Sequence, residues 1–94
     1  MFHVEHDPTK GFAKRLLQAR LDAGARRGKI LTQTAVADAM GVSQVSVGRW
    51  ESGETEPDLA TIAKLAKVLG VDAGDLAFGP AVNDEPAKKR KANG

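Results

Sequence analysis

Apolar positions recur three and four residues apart through most of this chain, the spacing of helices that bury one face, and no stretch carries a hairpin signal. The pattern is sharpest in TQTAVADAMGVSQVSVGRWESG, from Thr32 to Gly53. Thr32 is placed to cap a short helix, its hydroxyl accepting from an orphan backbone N–H. Val36, Ala37 and Met40 then form one buried stripe, with Ala37 small enough for a second helix to cross closely. Gly41 predicts a left-handed helix end, Val42 fills the corner, and Ser43 caps the next helix. In that helix Val47 and Trp50 point inward, while Gln44, Val45, Gly48 and Arg49 point outward.

The flanking segments supply three more helices. One is expected from about Gly11 to Ala23, burying Phe12, Leu16 and Ala19. After Pro57, Asp58 caps a helix whose stripe is Leu59, Ile62, Leu65, Ala66 and Leu69, and Gly70 stops it. Asp72 caps a short last helix carrying Leu76, and Leu76 and Phe78 either close the core or belong to a dimer surface. The fold class is therefore all-α. Residues 1–10 read as a flexible arm, 11–79 as one domain, and 80–94 as a disordered basic tail.

Several motifs in register strengthen this picture. TQ opens the first helix of the bent pair, Ala37 and Gly41 keep an Ala-x-x-x-Gly spacing, and WESG runs from Trp50 to Gly53. ETEPD and LATIAKLAKVLGVDAGDL follow. Over roughly residues 11–79 the chain resembles the lambda-repressor-like, XRE-type helix-turn-helix family of Cro and phage repressors. The resemblance implies a compact five-helix DNA-binding domain that lays its recognition helix, about residues 43–52, in the major groove.

Under that reading the first turn of the recognition helix faces base edges. Gln44 can accept from and donate to the N6 and N7 edge of adenine. Val45 can pack on a thymine methyl, which shifts the expected target toward A/T-containing sequence. Ser46 either touches DNA or bonds within its own helix. Gly48, costly in mid-helix by about 1 kcal/mol relative to alanine, is either tolerated or marks close approach to the duplex. The resemblance implies that Gln33 contacts a phosphate and braces Gln44. It also implies that Arg20 and Glu51 form a structural ion pair. Ser43, Arg49, Ser52 and Thr55 are the expected backbone contacts. The segment AGARRGKI is longer than the family's usual connection at this point, and Arg26, Arg27 and Lys29 either reach a phosphate from it, the favoured expectation, or form a solvated basic bulge.

Composition narrows the alternatives. A net charge of +2 is too mild to suggest nucleic acid by itself, but Arg26, Arg27, Lys29 and Arg49 cluster near the expected DNA face. Lys88–Lys91 adds a basic tail, which serves DNA, a partner, or solubility. The chain has no cysteine, and no apolar run approaches a membrane span of ~20 residues. A metal held by His3 and His6 is not expected, because no further ligand supports them. GARRGK falls one residue short of a phosphate-binding loop and is followed by Ile30 rather than Ser or Thr. No nucleophile elbow or carboxylate pair suggests catalysis.

The expectation is a non-enzymatic transcriptional regulator without a cofactor: a homodimeric repressor on a palindromic double-stranded operator, cytoplasmic, bacterial or phage-encoded. The alternative is a protein-interaction module of the same fold, such as an antitoxin or coregulator.

Overall fold

Each helix after the first begins at a side-chain oxygen that takes an amide proton from the opening turn. Thr32 accepts from Ala35 N at 3.0 Å, Ser43 from Ser46 N at 3.1 Å, Asp58 from Thr61 N at 2.9 Å and Asp72 from Asp75 N at 3.0 Å. The computed structural model describes residues 11–80, which form five helices: α1 (Phe12–Arg26), α2 (Gln33–Met40), α3 (Gln44–Ser52), α4 (Leu59–Leu69) and α5 (Ala73–Phe78). No strand occurs among the described residues. The expected arm, the basic tail and the His3/His6 pair lie outside them.

The corner between α2 and α3 follows from Gly41. Its φ of 74° is left-handed, and its amide and that of Val42 close on the carbonyls of Asp38 and Ala37. A side chain there would pay the steric penalty that glycine avoids. Behind the corner, Phe12, Leu16, Val36, Val47, Trp50, Leu65, Leu69 and Leu76 fill one core, onto which the partly buried Ala19, Met40 and Val42 pack.

One expectation is corrected. Helix α1 does not stop near Ala23 but continues to Arg26. Gly24 is a helical residue, and the chain turns back directly over it, with Lys29 N bonded to Gly24 O at 2.9 Å. A Cβ on Gly24 would lie 2.6 Å from Lys29 O and 2.9 Å from Leu31 N, so the return passes where a methyl would stand. Leu31 is thereby driven into the core. Of the two residues expected to close the core or to belong to a dimer surface, Leu76 is buried and Phe78 stays half exposed beyond it.

The arginines of the 24–31 segment, both exposed, also reach across to a neighbouring helix. Arg26 Nη2 donates to Leu69 O at 2.6 Å and Arg27 Nη2 to Val68 O at 2.7 Å, at the C-terminal end of α4. Arg15 does the same for α5, donating to the carbonyls of Leu76 and Ala77 at 2.9 and 2.6 Å. A helix C-terminus carries unpaired carbonyls and partial negative charge, so a guanidinium is well matched to it. Arg26 and Arg27 thus tie the end of α1 to α4 while both remain exposed.

The α4 cap has a pH consequence. Hydrogen bonds from Thr61, side chain first and amide second, hold the Asp58 carboxyl below its ordinary value. A carboxyl depressed in the folded state stabilises fully above its unfolded value, and loses that contribution as pH falls through the folded one. Asp58→Asn keeps a capping oxygen without the charge. Wild type should therefore melt above Asp58→Asn at neutral pH. That gap should close as melting is repeated down through the acidic range, and a gap independent of pH would remove the charge from the explanation.

Candidate nucleic-acid interface

The outer surface of the α2–α3 corner is polar at its edges and open at its centre. Gln44 is exposed on the first turn of α3, and Val45 beside it is 54% exposed. An apolar side chain so uncovered has surface to bury against something else. Ser46 is half buried, and its hydroxyl lies 3.1 Å from that of Ser43, so both serines serve the helix start.

Gln44 is not a loose side chain. Its Nε2 donates to Gln33 Oε1 from the first residue of α2. Gln33 Nε2 in turn donates to Glu51 Oε1 at 2.9 Å. Glu51 sits bidentate on Arg20 of α1: Nε donates to Oε2 at 2.7 Å and Nη2 to Oε1 at 2.9 Å. Arg20 Nη1 donates to Leu31 O at 2.8 Å, which secures the chain entering α2. The Arg20 and Glu51 side chains are only 12% and 5% exposed. The hydrogen bond to Glu51 is the main cause that raises the Arg20 guanidinium above its ordinary value, opposed by burial and aided by the carboxylate's charge. One continuous chain of hydrogen bonds thus runs from α1 through α3 and α2 to the exposed amide of Gln44.

Gly48 lies under this clasp. A Cβ there would stand 3.4 Å from Gln33 Oε1 and 3.5 Å from Gln44 Nε2, ordinary contact distances, so the chain itself has room for a methyl. Internal packing does not explain the glycine.

The remaining candidates divide. Arg49 is exposed and its guanidinium has no partner among the described residues, and the same holds for the ammonium of Lys29. The Ser52 hydroxyl donates to Arg49 O at 3.1 Å and accepts from Glu54 N at 3.3 Å, so it closes the end of α3. Thr55 is exposed, with its amide on the same Arg49 carbonyl at 3.3 Å. Sequence reasoning did not find the Gln33–Glu51 bond, which joins residues 18 apart and has no local signature. It also missed the capping role of Arg15 and the close approach at Gly24.

Among the described residues no helix is long and apolar enough to cross a membrane, and no group of three or more metal-ligating side chains gathers.

Comparison with known proteins places this geometry. A family profile described as Helix-turn-helix matches residues 25–76, more than half of the chain. An SPbeta prophage-derived uncharacterized HTH-type transcriptional regulator, YonR of Bacillus subtilis (strain 168), is 35% identical over 72% of this chain and 57% of its own length. The HTH-type transcriptional regulator DicA of Escherichia coli (strain K12) is 40% identical over 51% of this chain and 36% of its own. The HTH-type transcriptional activator BcrR of Enterococcus faecalis is 33% identical over 57% of this chain and 26% of its own. The chain thus spans between about a quarter and three fifths of these relatives' lengths. No solved structure matches it. Five helices in this order, a bent pair closed at Gly41 and the profile match over that pair together make the chain a member of the lambda-repressor-like, XRE-type helix-turn-helix family.

Proposed function

We infer that this protein is a sequence-specific double-stranded DNA-binding transcriptional regulator, a cytoplasmic repressor acting as a homodimer without cofactor or catalysis. The observation that carries the reading is the Gln44 carboxamide, exposed at the leading turn of α3 and held in place by Gln33. A major-groove helix needs such a group, pre-set before contact, because freezing a loose side chain costs affinity. Gln44 addresses adenine and Val45 a thymine methyl, with Gly48 allowing the duplex to approach the clasp. Arg49, Lys29, Gln33 and the backbone near Thr55 meet phosphates. Ser43, Ser46 and Ser52 shape the two ends of α3, and the Arg20–Glu51 pair fixes that helix to the body.

Dimerisation is proposed on the two-fold logic of operator half-sites roughly 34 Å apart. A groove of about 290 Å³ is lined in part by Leu59 and Phe78, which are 63% and 50% exposed, and is the apolar surface such pairing would cover.

Selection of bound fragments from random duplex DNA tests the whole reading, and should return a symmetric motif with half-sites one turn apart. Gln44→Ala should relax preference at one position per half-site, at a cost of about 1–3 kcal/mol. Arg49→Ala should weaken all sequences alike and lower the salt slope by about 0.9 if its partner is a phosphate. Footprints of both variants identical to wild type would show that this face does not touch DNA. Tight binding to a protein, with no duplex selected, would favour the interaction-module alternative.

A further inference from the structure

We propose that Glu51 is a positioning residue for base reading: through Gln33 it dictates which way round the Gln44 amide is presented, and so favours adenine over guanine. This rests on the proposed reading of DNA by Gln44.

A carboxamide has two ends of similar size, an oxygen that accepts and an NH₂ that donates. Contact shape alone does not choose between its two flipped states. A carboxylate does choose, because it offers acceptors only. Glu51 Oε1 already receives Arg20 Nη2, and the second group facing it is Gln33 Nε2. Flipping Gln33 would set an amide oxygen against a carboxylate oxygen whose side chain is 5% exposed, where little water relieves the repulsion. Gln33 is therefore held with Oε1 toward Gln44, and Gln44 must answer with Nε2.

The orientation reaches the surface unchanged. With one N–H committed to Gln33, Gln44 keeps its carbonyl oxygen and its other N–H without a partner among the described residues. One acceptor beside one donor matches the N6–H and N7 edge of adenine. In the opposite orientation the oxygen would be tied to Gln33 and both N–H groups would be free. Two donors match O6 and N7 of guanine instead. A buried charge that touches no DNA thereby sets the base preference of an exposed neutral side chain.

The test compares wild type, Arg20→Met/Glu51→Leu and Gln33→Met on the selected duplex and on the same duplex with guanine replacing adenine at the position that Gln44→Ala relaxes. In the double variant no carboxylate faces Gln33, so its amide and that of Gln44 are free to take either orientation. Gln33→Met cuts the relay while leaving the Arg20–Glu51 pair intact, so it reports even if the double variant does not fold. In both, the adenine-to-guanine affinity ratio should fall by about tenfold or more, the scale of one bidentate contact.

A merely structural role would lower both affinities together and leave the ratio unchanged. Retention of the wild-type ratio in either folded variant overturns the proposal. A wild-type chain that selects no duplex at all is a different result, since it removes the DNA reading itself and this inference with it.

Discussion

Replacing Arg20 with methionine should cost about 3–5 kcal/mol of folding stability. Its bidentate partner Glu51 is 5% exposed, so removing the guanidinium strands a carboxylate where solvent cannot compensate it. Leu31 O loses its donor in the same step. The loss is a large share of the ~5–15 kcal/mol that holds a typical domain, and urea unfolding of the two proteins would measure it. Arg20→Met/Glu51→Leu should recover most of it, because an apolar pair of similar volume removes the stranded charge. A single variant within about 1 kcal/mol of wild type would mean the pair behaves as an exposed one.

Gly24→Ala should also destabilise, against the usual benefit of alanine in a helix. Propensity alone favours the change by about 1 kcal/mol. However, the added methyl would meet two backbone atoms, Lys29 O at 2.6 Å and Leu31 N at 2.9 Å, and neither can rotate away. Overpacking of this kind costs about 1–3 kcal/mol, and each kcal/mol lowers the melting temperature of a domain this size by about 4–8 °C. Gly48→Ala is the internal control. The nearest atoms there are 3.4 and 3.5 Å away, so it should keep the propensity gain and melt higher. Opposite signs at two helical glycines would separate steric need from backbone freedom, and equal signs would refute the assignment.

What the sequence disclosed follows the range of the interactions. The caps at Thr32, Ser43, Asp58 and Asp72 each close on an amide three residues ahead, so a short window contains the whole signal. The turn at Gly41 is equally local. The bonds from Arg26 and Arg27 to α4 were not legible because their carbonyl partners lie 43 and 41 residues away, and a run of basic residues reads the same whether it meets a helix end or a phosphate. The end of α1 was misjudged because Gly24 looks like a helix stop, whereas its missing side chain makes way for the returning strand of chain. The Arg20–Glu51 pairing was legible only through family resemblance. The continuation from Glu51 to Gln33 was not legible at all, since it depends on two helices already packed.

Arg15, Arg26 and Arg27, bonded to the ends of α5 and α4, alter what the basic residues of this chain mean in solution. A guanidinium bonded to neutral peptide carbonyls keeps its full positive charge and gives up only the N–H groups it has committed. The three arginines therefore still add to the field that draws a polyanion from a distance. What their engagement takes away is the freedom to follow a phosphate, so that attraction at long range and grip at short range fall to different cations of the same small domain.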